Sequence, residues 1–174
     1  MAKIDIKNLS KTYDVRKLNP QDTEMIIAFC KDNPQYYEHS GKKLSAELIE
    51  SDMRITPPGI PPEQKYYIGF FNEGALVAIV DLIDGYPNGS SAFIGFFMMN
   101  KELQGTGTGS RIISEVLSCL KNQGYKSCRL GIDKGNPQSG HFWAKNGFEV
   151  IREVAQETGS ILVAEKNLEF VELP

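Results

Sequence analysis

A run of seven residues near the middle of the chain alternates glycines with polar side chains. Its members are Gln104, Gly105, Thr106, Gly107, Thr108, Gly109 and Ser110. An amphipathic segment follows directly, so the run forms the turn that leads into a helix. Free backbone amides and the positive end of the helix dipole then converge on one place, and glycines let a phosphate approach the backbone. The pattern predicts an anion site for a phosphate or pyrophosphate group.

Several ligands are compatible with such a loop. A Walker-type loop for ATP or GTP needs a lysine after its last glycine, and none follows here. A dinucleotide loop needs G-x-G-x-x-G, whereas this run places its third glycine one position early, with Asp133 as the acid that would bind a ribose. A dinucleotide-binding enzyme is therefore an alternative, disfavoured because the preceding strands are expected in antiparallel hairpins. A glycine-rich connector without a ligand is a further alternative.

Capping and turn residues indicate the elements before the loop. Asn19, followed by a proline, begins a helix that ends before Pro34, and Ser45 begins a weaker helix that ends before the prolines at 57–62. The expected strands are 66–71, 75–83 and 92–99. The last of these contains the longest apolar run, Phe93 to Met99, which predicts a central strand that is fully buried.

The same signals continue after the loop. Gly124 is expected to end the following helix in a left-handed conformation, and Asn136 with Pro137 begins a short helix that ends at Asn146. The expected strands are 128–132, 148–154 and 160–166. The predicted order is βααβββαβαββ, which is typical of an α/β (α+β) protein whose mixed, mostly antiparallel central sheet carries helices on both faces.

Composition excludes several classes of function. A net charge of -3 argues against a nucleic-acid partner, and no apolar stretch is long enough to cross a membrane. Three cysteines without a C-x-x-C pair and two histidines provide too few ligands for a Cys/His metal cage. The first eight residues lack the pattern of a signal peptide, which favours a cytoplasmic location. We expect a single domain over residues 1–174, with no metal, nucleic-acid or membrane partner.

Two motifs carry a resemblance to a known family. Gln104-x-x-Gly107-x-Gly109 is similar to the Q/R-x-x-G-x-G/A pyrophosphate loop of the GNAT N-acetyltransferase superfamily. The family also carries a later segment, N-x-x-[AS]-x-x-x-Y-x-x-x-G-F. The residues of this chain in the same register are Asn136, Ser139, Trp143, Gly147 and Phe148. The predicted order of elements agrees with the family fold, and the region 68–99 resembles an uncharacterised bacterial branch.

The resemblance implies an acetyl-CoA-dependent N-acetyltransferase. Such an enzyme moves an acetyl group to a primary amine of a small molecule or peptide by direct attack through a tetrahedral intermediate. The loop amides would hold the pyrophosphate of acetyl-CoA, and Asn136 and Ser139 would hydrogen-bond its pantetheine amides. In this family the strand before the loop splays from its neighbour, so the backbone amide of Met98 or Met99 would contact the cofactor. Met99 is the expected oxyanion donor.

The chain departs from the family at the general acid. Trp143 stands where many members have a tyrosine, and an indole N–H is not a practical proton donor to a thiolate. We expect Trp143 to pack against the pantetheine or in the core. Tyr86, in a loop between strands, is the candidate replacement acid. Asp81 is the candidate base, with Asp84 and Glu102 as alternatives, although the solvated surface is the more frequent place for an acid.

The acceptor pocket is expected in the sequence least similar to the family. Tyr36, Tyr37 and His39, the prolines at 57–62 and Tyr86 are the candidates, because aromatic side chains surround or stack on an amine. A small-molecule or peptide amine is the expected partner, and a homodimer is left open. Because no motif fixes the acid and the base, a non-catalytic acyl-CoA-binding module is the alternative function.

Overall fold

A computed structural model of the chain describes residues 4–169, apart from the side chain of His39. Seven strands form one sheet in the order β1-β2-β3-β4-β5-β7-β6. The strands are β1 Asp14–Lys17, β2 Lys65–Asn72, β3 Ala75–Asp84, β4 Ser91–Met99, β5 Ser127–Asp133, β6 Glu149–Gln156 and β7 Gly159–Asn167. Among these described strands, only β4 and β5 are parallel neighbours. The mixed, mostly antiparallel sheet of the prediction is confirmed.

The helices follow the predicted order with one addition. They are α1 Thr23–Lys31, α2 Pro34–Ser40, α3 Ala46–Arg54, α4 Thr108–Asn122 and α5 Pro137–Lys145. Helix α2 is the addition, because Asn33-Pro34 in the sequence indicates only the end of a helix. Pro34 occupies the first position of α2, where its missing N–H costs nothing, and Gly41 ends the helix with a φ of 68°.

The predicted helix ends are confirmed by their hydrogen bonds. The Ser45 hydroxyl accepts from the amide of Leu48 at 3.1 Å, at the start of α3. The Asn136 side chain accepts from the amide of Ser139 at 3.2 Å, at the start of α5. Gly124 has a φ of 95° just after α4. Local sequence therefore determines where most helices begin and end.

Two apolar clusters cover the two faces of the sheet. Helices α4 and α5 pack on one face, and α1 and α3 pack on the other. The first cluster includes Ile68, Phe70, Val80, Leu82, Ile112, Ile113, Val116 and Leu120. The second includes Ile26, Cys30, Ile49, Tyr67, Ile79 and Met98. Each fully buried aliphatic side chain contributes about 1.5–3 kcal/mol, so the two clusters fix the sheet between the helices.

Strand β4 is central, but the prediction that it is fully buried is wrong. Gly95 is exposed, and Phe93, Phe96 and Phe97 are only partly buried. For Gly95, Phe96 and Phe97 the reason lies in the pairing of the strand. β4 loses contact with β5 after Ile94, so its second half borders an open gap instead of another strand.

No helix within 4–169 is long and apolar enough to cross a membrane. The described side chains include no group of three His, Cys, Asp or Glu residues arranged to hold a metal ion.

A carboxylate on α4 anchors the segment before β1. Glu115 accepts hydrogen bonds from the hydroxyls of Ser10 and Thr12, at 2.6 and 2.7 Å, and from the amide of Lys11 at 3.0 Å. Partial desolvation raises the pKa of Glu115, but these hydrogen bonds outweigh it and hold the pKa below the usual range. The native state therefore favours the ionised form of this carboxyl.

We expect Glu115→Ala to lower the free energy of unfolding at neutral pH by about 1–3 kcal/mol, because three charge-assisted hydrogen bonds are lost. The contribution of Glu115 is present above the pKa of an unfolded glutamate and disappears as the pH falls through its lower native value. The midpoints of thermal unfolding of Glu115→Ala and of the native protein should therefore approach each other as the pH is lowered. Glu153→Ala, which removes an exposed ion pair with Lys134, is the control and should change stability little.

Candidate functional site

Strands β4 and β5 diverge in the middle of the sheet. They pair from Ser91 opposite Ser127 to Ile94 opposite Leu130, and no further. Strand β4 nevertheless continues to Met99 and β5 to Asp133. The splay expected from the family resemblance is therefore present, and the part of β4 from Gly95 to Met99 borders the gap.

The backbone of β4 directs two amides into this gap. The amide of Asn100 donates to the Val77 carbonyl on β3 at 2.8 Å. Because successive N–H groups of a strand point to opposite sides, the amide of Met98 also faces β3, whereas those of Phe97 and Met99 face the gap. Met99 is thus placed as predicted, and the suggestion that the Met98 amide serves the gap is wrong. Phe97 was missed, since an apolar side chain gives no sign of a backbone role.

A side-chain network closes the end of β4. The Met99 carbonyl accepts from Asn33 Nδ2 at 3.3 Å and from Gln104 Nε2 at 3.4 Å. Gln104 Nε2 also donates to Asn33 Oδ1. The amide group of Gln104, predicted as a cofactor ligand, therefore connects the loop to the end of α1 and orients the glycines that follow.

The glycine loop has the geometry that an anion site requires. Gly105 and Gly107 are exposed and left-handed, with φ of 77° and 86°, and a Cβ at either position would meet nothing within 4 Å. The first internal hydrogen bond of α4 runs from the Arg111 amide to the Gly107 carbonyl at 3.1 Å. Within the described residues, the amides of Thr108 and Ser110 precede this bond and have no partner. The loop thus presents unpaired donors beside open space.

Gly109 differs from the other two glycines. It is buried, and a Cβ there would lie 3.3 Å from Met99 Cγ and 3.3 Å from Phe142 Cε2. The expectation that all three glycines make room for a phosphate is therefore wrong for Gly109. This glycine lets α4 approach β4 and α5, which places the free amides of the helix beside the gap.

The hydroxyls of the loop are partly engaged. The Thr106 hydroxyl donates to the Leu103 carbonyl at 2.5 Å, so it accepts from the Thr108 hydroxyl at 2.8 Å. Neither threonine then has a free hydroxyl proton. Ser110 Oγ accepts from Asn146 Nδ2 at 3.2 Å, which leaves its proton available. Of these three hydroxyls, Ser110 is the one that can still donate.

Trp143 packs in an aromatic cluster. It is 7% exposed, with ring centroids 5.7 Å from Phe97, 4.9 Å from Phe142 and 5.2 Å from Phe148. The predicted packing role is confirmed, and the location is the core. On the same helix, Ser139 is partly buried and His141 is exposed.

Tyr86 is separated from the gap amides. Its ring lies against Phe93, with centroids 5.1 Å apart, in the part of β4 that still pairs with β5. Phe93 and Phe97 are four residues apart, which is about 13 Å along a strand. The structure therefore does not bring this candidate acid beside Phe97 and Met99.

The two candidate acids on β3 are buried, contrary to the expectation of a solvated surface. Asp84 accepts from the Tyr125 hydroxyl at 2.5 Å. Asp81 Oδ2 accepts from Lys65 Nζ at 2.7 Å, and the side chains are 8% and 5% exposed. Desolvation raises the pKa of Asp81 to about 6, although Lys65 opposes this shift. Lys65 was missed because nothing in its local sequence indicates that its side chain is buried. Glu102, the remaining candidate base, is exposed.

Aromatic rings cover the face of β4 toward α1 and α2. Phe96 lies 5.1 Å from Tyr36 and 6.3 Å from Tyr67 between ring centroids, and Tyr36 lies 5.0 Å from Tyr37. Burial raises the pKa of Tyr36 to about 12, so its hydroxyl stays protonated. The two predicted tyrosines are brought together here, whereas the side chain of His39 lies outside the described residues. We call Tyr36, Tyr37, Tyr67 and Phe96 the aromatic wall.

The prolines at 57–62 form a loop between α3 and β2. The Thr56 hydroxyl donates to the Ile60 carbonyl at 2.7 Å and holds this loop closed. Its predicted part in an acceptor pocket remains a prediction.

Comparison with known proteins agrees with this geometry. The family model for the acetyltransferase (GNAT) family matches residues 26–148, which include the gap, the glycine loop and α5. The chain therefore belongs to the GNAT acetyltransferase family. No functionally curated protein matches it.

Solved structures share the fold at low identity. An acetyltransferase from Thermus thermophilus superposes with a TM-score of 0.73 at 19% identity, over 90% of this chain and 97% of that one. The PaiA N-acetyltransferase of Thermoplasma acidophilum, solved in complex with coenzyme A, gives 0.63 at 19% identity, over 89% and 98%. Ard1 of Thermoplasma volcanium gives 0.65 at 18% identity, over 90% and 97%.

The packing of Gly109 can be tested by substitution. Gly109→Val should lower the free energy of unfolding by about 1–3 kcal/mol, because the added atoms overlap Met99 and Phe142. Thermal unfolding should show a decrease of several degrees in the midpoint. Gly140→Val is the control in α5, where a Cβ meets nothing within 4 Å. Equal stabilities of the two variants would contradict the packing role.

Proposed function

We propose that the protein is an acetyl-CoA-dependent N-acetyltransferase that acts on a primary amine of a small molecule or peptide. The observation that carries this proposal is the pair of amides at Phe97 and Met99, which face a gap beside the free amides of α4. An N-terminal helix end suits a pyrophosphate, and strand amides in a gap suit a carbonyl oxygen. The CoA complex of the Thermoplasma acidophilum protein supports this choice of cofactor.

The residues of the loop fit the cofactor. The amides of Gly107, Thr108 and Ser110 would hold its pyrophosphate, where Gly105 and Gly107 leave open space. Asn136 uses its side-chain oxygen as a helix cap, so its Nδ2 is the part available to a pantetheine amide. Acetyl-CoA, when bound, supplies an acetyl group activated as a thioester. An amide of β4 that faces the thioester oxygen stabilises the charge that develops there, typically about 10²–10³-fold in rate.

A non-catalytic acyl-CoA-binding protein is the second candidate. The observation that favours it is the buried Trp143, which occupies the position of the family tyrosine and leaves no proton donor there. Both candidates require CoA to bind, and only the first requires transfer to an amine.

Two measurements on the intact protein test these candidates. A thermal-shift series compares acetyl-CoA, CoA, NAD and ATP, and we expect stabilisation by both CoA species alone. Thiol release from acetyl-CoA is then followed across a panel of primary amines. Stabilisation without thiol release would favour the binding protein, and absence of any CoA shift would exclude both candidates.

Gly107→Glu should abolish the thermal shift by CoA, because it adds bulk and a negative charge where the phosphate would lie. Gly74→Glu is the matched control. Gly74 has nearly the same left-handed φ, 85° against 86°, and equally open space, but lies in the β2-β3 turn. Both variants carry similar backbone strain, so only the ligand site differs. A CoA shift that survives Gly107→Glu would contradict the assignment of the loop.

The ring of Tyr86 contacts Phe93, away from the gap amides. We therefore propose that Tyr86 acts as the acid after a movement of its side chain, or through a chain of waters that connects its hydroxyl with the gap. Tyr86→Phe should then lower amine turnover. Turnover identical to that of the native protein at every pH would exclude Tyr86. Phe93→Leu, which removes the ring contact and keeps the hydroxyl, is the matched comparison.

A further inference from the structure

We propose that Lys65 is a positioning residue that holds Asp81 over Gly95, with Asp81 Oδ1 presented to the amine of the acceptor. This inference rests on the proposed function. It adds a residue and an entry point for the acceptor that neither the motifs nor the family match assigns.

Gly95 opens the path from Asp81 to the gap. Strand β4 bulges at Gly95: its neighbours Ile94 and Phe96 pair with Leu82 and Asp81 of β3, and Gly95 itself has no partner on β3. Asp81 Oδ2 lies only 2.8 Å from the position that a Gly95 Cβ would take. The carboxylate therefore lies over the backbone of β4 at an exposed glycine. Phe97, whose amide faces the gap, is two residues further along the same strand.

The two oxygens of Asp81 are in different situations. Oδ2 accepts from Lys65 Nζ at 2.7 Å. Oδ1 is buried and has no hydrogen-bond partner among the described residues. An unsatisfied buried carboxylate oxygen is costly, so its presence indicates a position that a donor fills in the working protein. A primary amine, with two N–H groups and a lone pair, is a donor of suitable size.

Charges around Asp81 come from β2, from α3 and from the segment between α2 and α3. Lys65 and Tyr67 approach from β2, and Asp52 lies on α3, where its negative charge raises the pKa of Asp81, Tyr67 and Tyr36. Burial raises the pKa of Asp52, and the positive charges of Lys42 and Lys65 oppose this rise. Lys65 is the cation in direct contact with Asp81. Its positive charge opposes the rise in the pKa of Asp81 that burial and Asp52 cause. Without Lys65, Asp81 would take up a proton and lose its capacity as a base.

Transfer of the acetyl group needs only the amine, the thioester, Asp81 and solvent. As the amine nitrogen forms its bond to the acetyl carbon and the C–S bond breaks, one amine proton passes to Asp81 Oδ1. The departing thiolate takes a proton from solvent, and Asp81 returns its own proton to solvent. Lys65 keeps its proton throughout and does not contact the reacting atoms, which makes it a positioning residue.

The test compares the pH dependence of kcat/KM for the amine in Lys65→Met and in the native protein. The native profile should rise through about pH 6 as Asp81 loses its proton. In Lys65→Met we expect this rise to move to higher pH by about one unit or more, which lowers kcat/KM at pH 7 by at least about twofold. Lys65→Arg should restore the native position. The thermal shift by CoA should be unchanged, and a rise at the same pH in Lys65→Met and native protein would overturn the proposal.

Gly95→Ala keeps the proposal testable if Lys65→Met does not fold, because breaking a buried pair destabilises a protein strongly. The added methyl displaces the carboxylate, so we expect kcat/KM for the amine to fall about tenfold or more while CoA still binds. Full amine turnover in Gly95→Ala would contradict the inference. Arg16→Met, which removes a paired strand cation at the edge of the sheet, is the control and should leave the pH profile unchanged. Failure of the proposed function itself is distinct, since the native protein would then show either no CoA shift or no amine-dependent release of thiol from acetyl-CoA.

Discussion

The loss of pairing between β4 and β5 beyond Ile94 is the constraint on which the rest of the site depends. A strand in the middle of a sheet normally satisfies its backbone on both sides, so unpaired groups must find other partners. The Met99 carbonyl finds them in Asn33 and Gln104. The amides of Phe97 and Met99 are left facing the gap, and they are the groups that chemistry can use.

Much of this architecture could be predicted, because it depends on local interactions. Ser45 and Asn136 form side-chain caps, and Gly124 takes the left-handed conformation expected after a helix. The glycines at 105 and 107 likewise have positive φ, as a tight turn into a helix requires. Helix α2 shows the limit of such signals, since Asn-Pro marks the start of one helix as readily as the end of another.

The remaining features depend on contacts between distant parts of the chain. Asp81 is 16 residues from Lys65, and only the pairing of β2 with β3 makes them a buried pair. Gly109 looks like the other glycines of its loop, and only the approach of Phe142 shows that its role is packing. Phe97 contributes through its backbone amide, and the type of a side chain does not indicate such a role. These roles arise from tertiary structure, and a pattern in one sequence does not contain them.

The hydrogen bonds of Asn33 also set an electrostatic requirement at the entrance to the glycine loop. Asn33 is buried, donates to the Met99 carbonyl and accepts from Gln104. Aspartate has the same shape, but it would lose the donor and place a negative charge next to the glycine loop. The chain carries a net charge of -3, but the hydrogen bonds at position 33 require an uncharged amide side chain. The uncharged amide of Asn33 thus makes both hydrogen bonds without adding a negative charge beside the glycine loop.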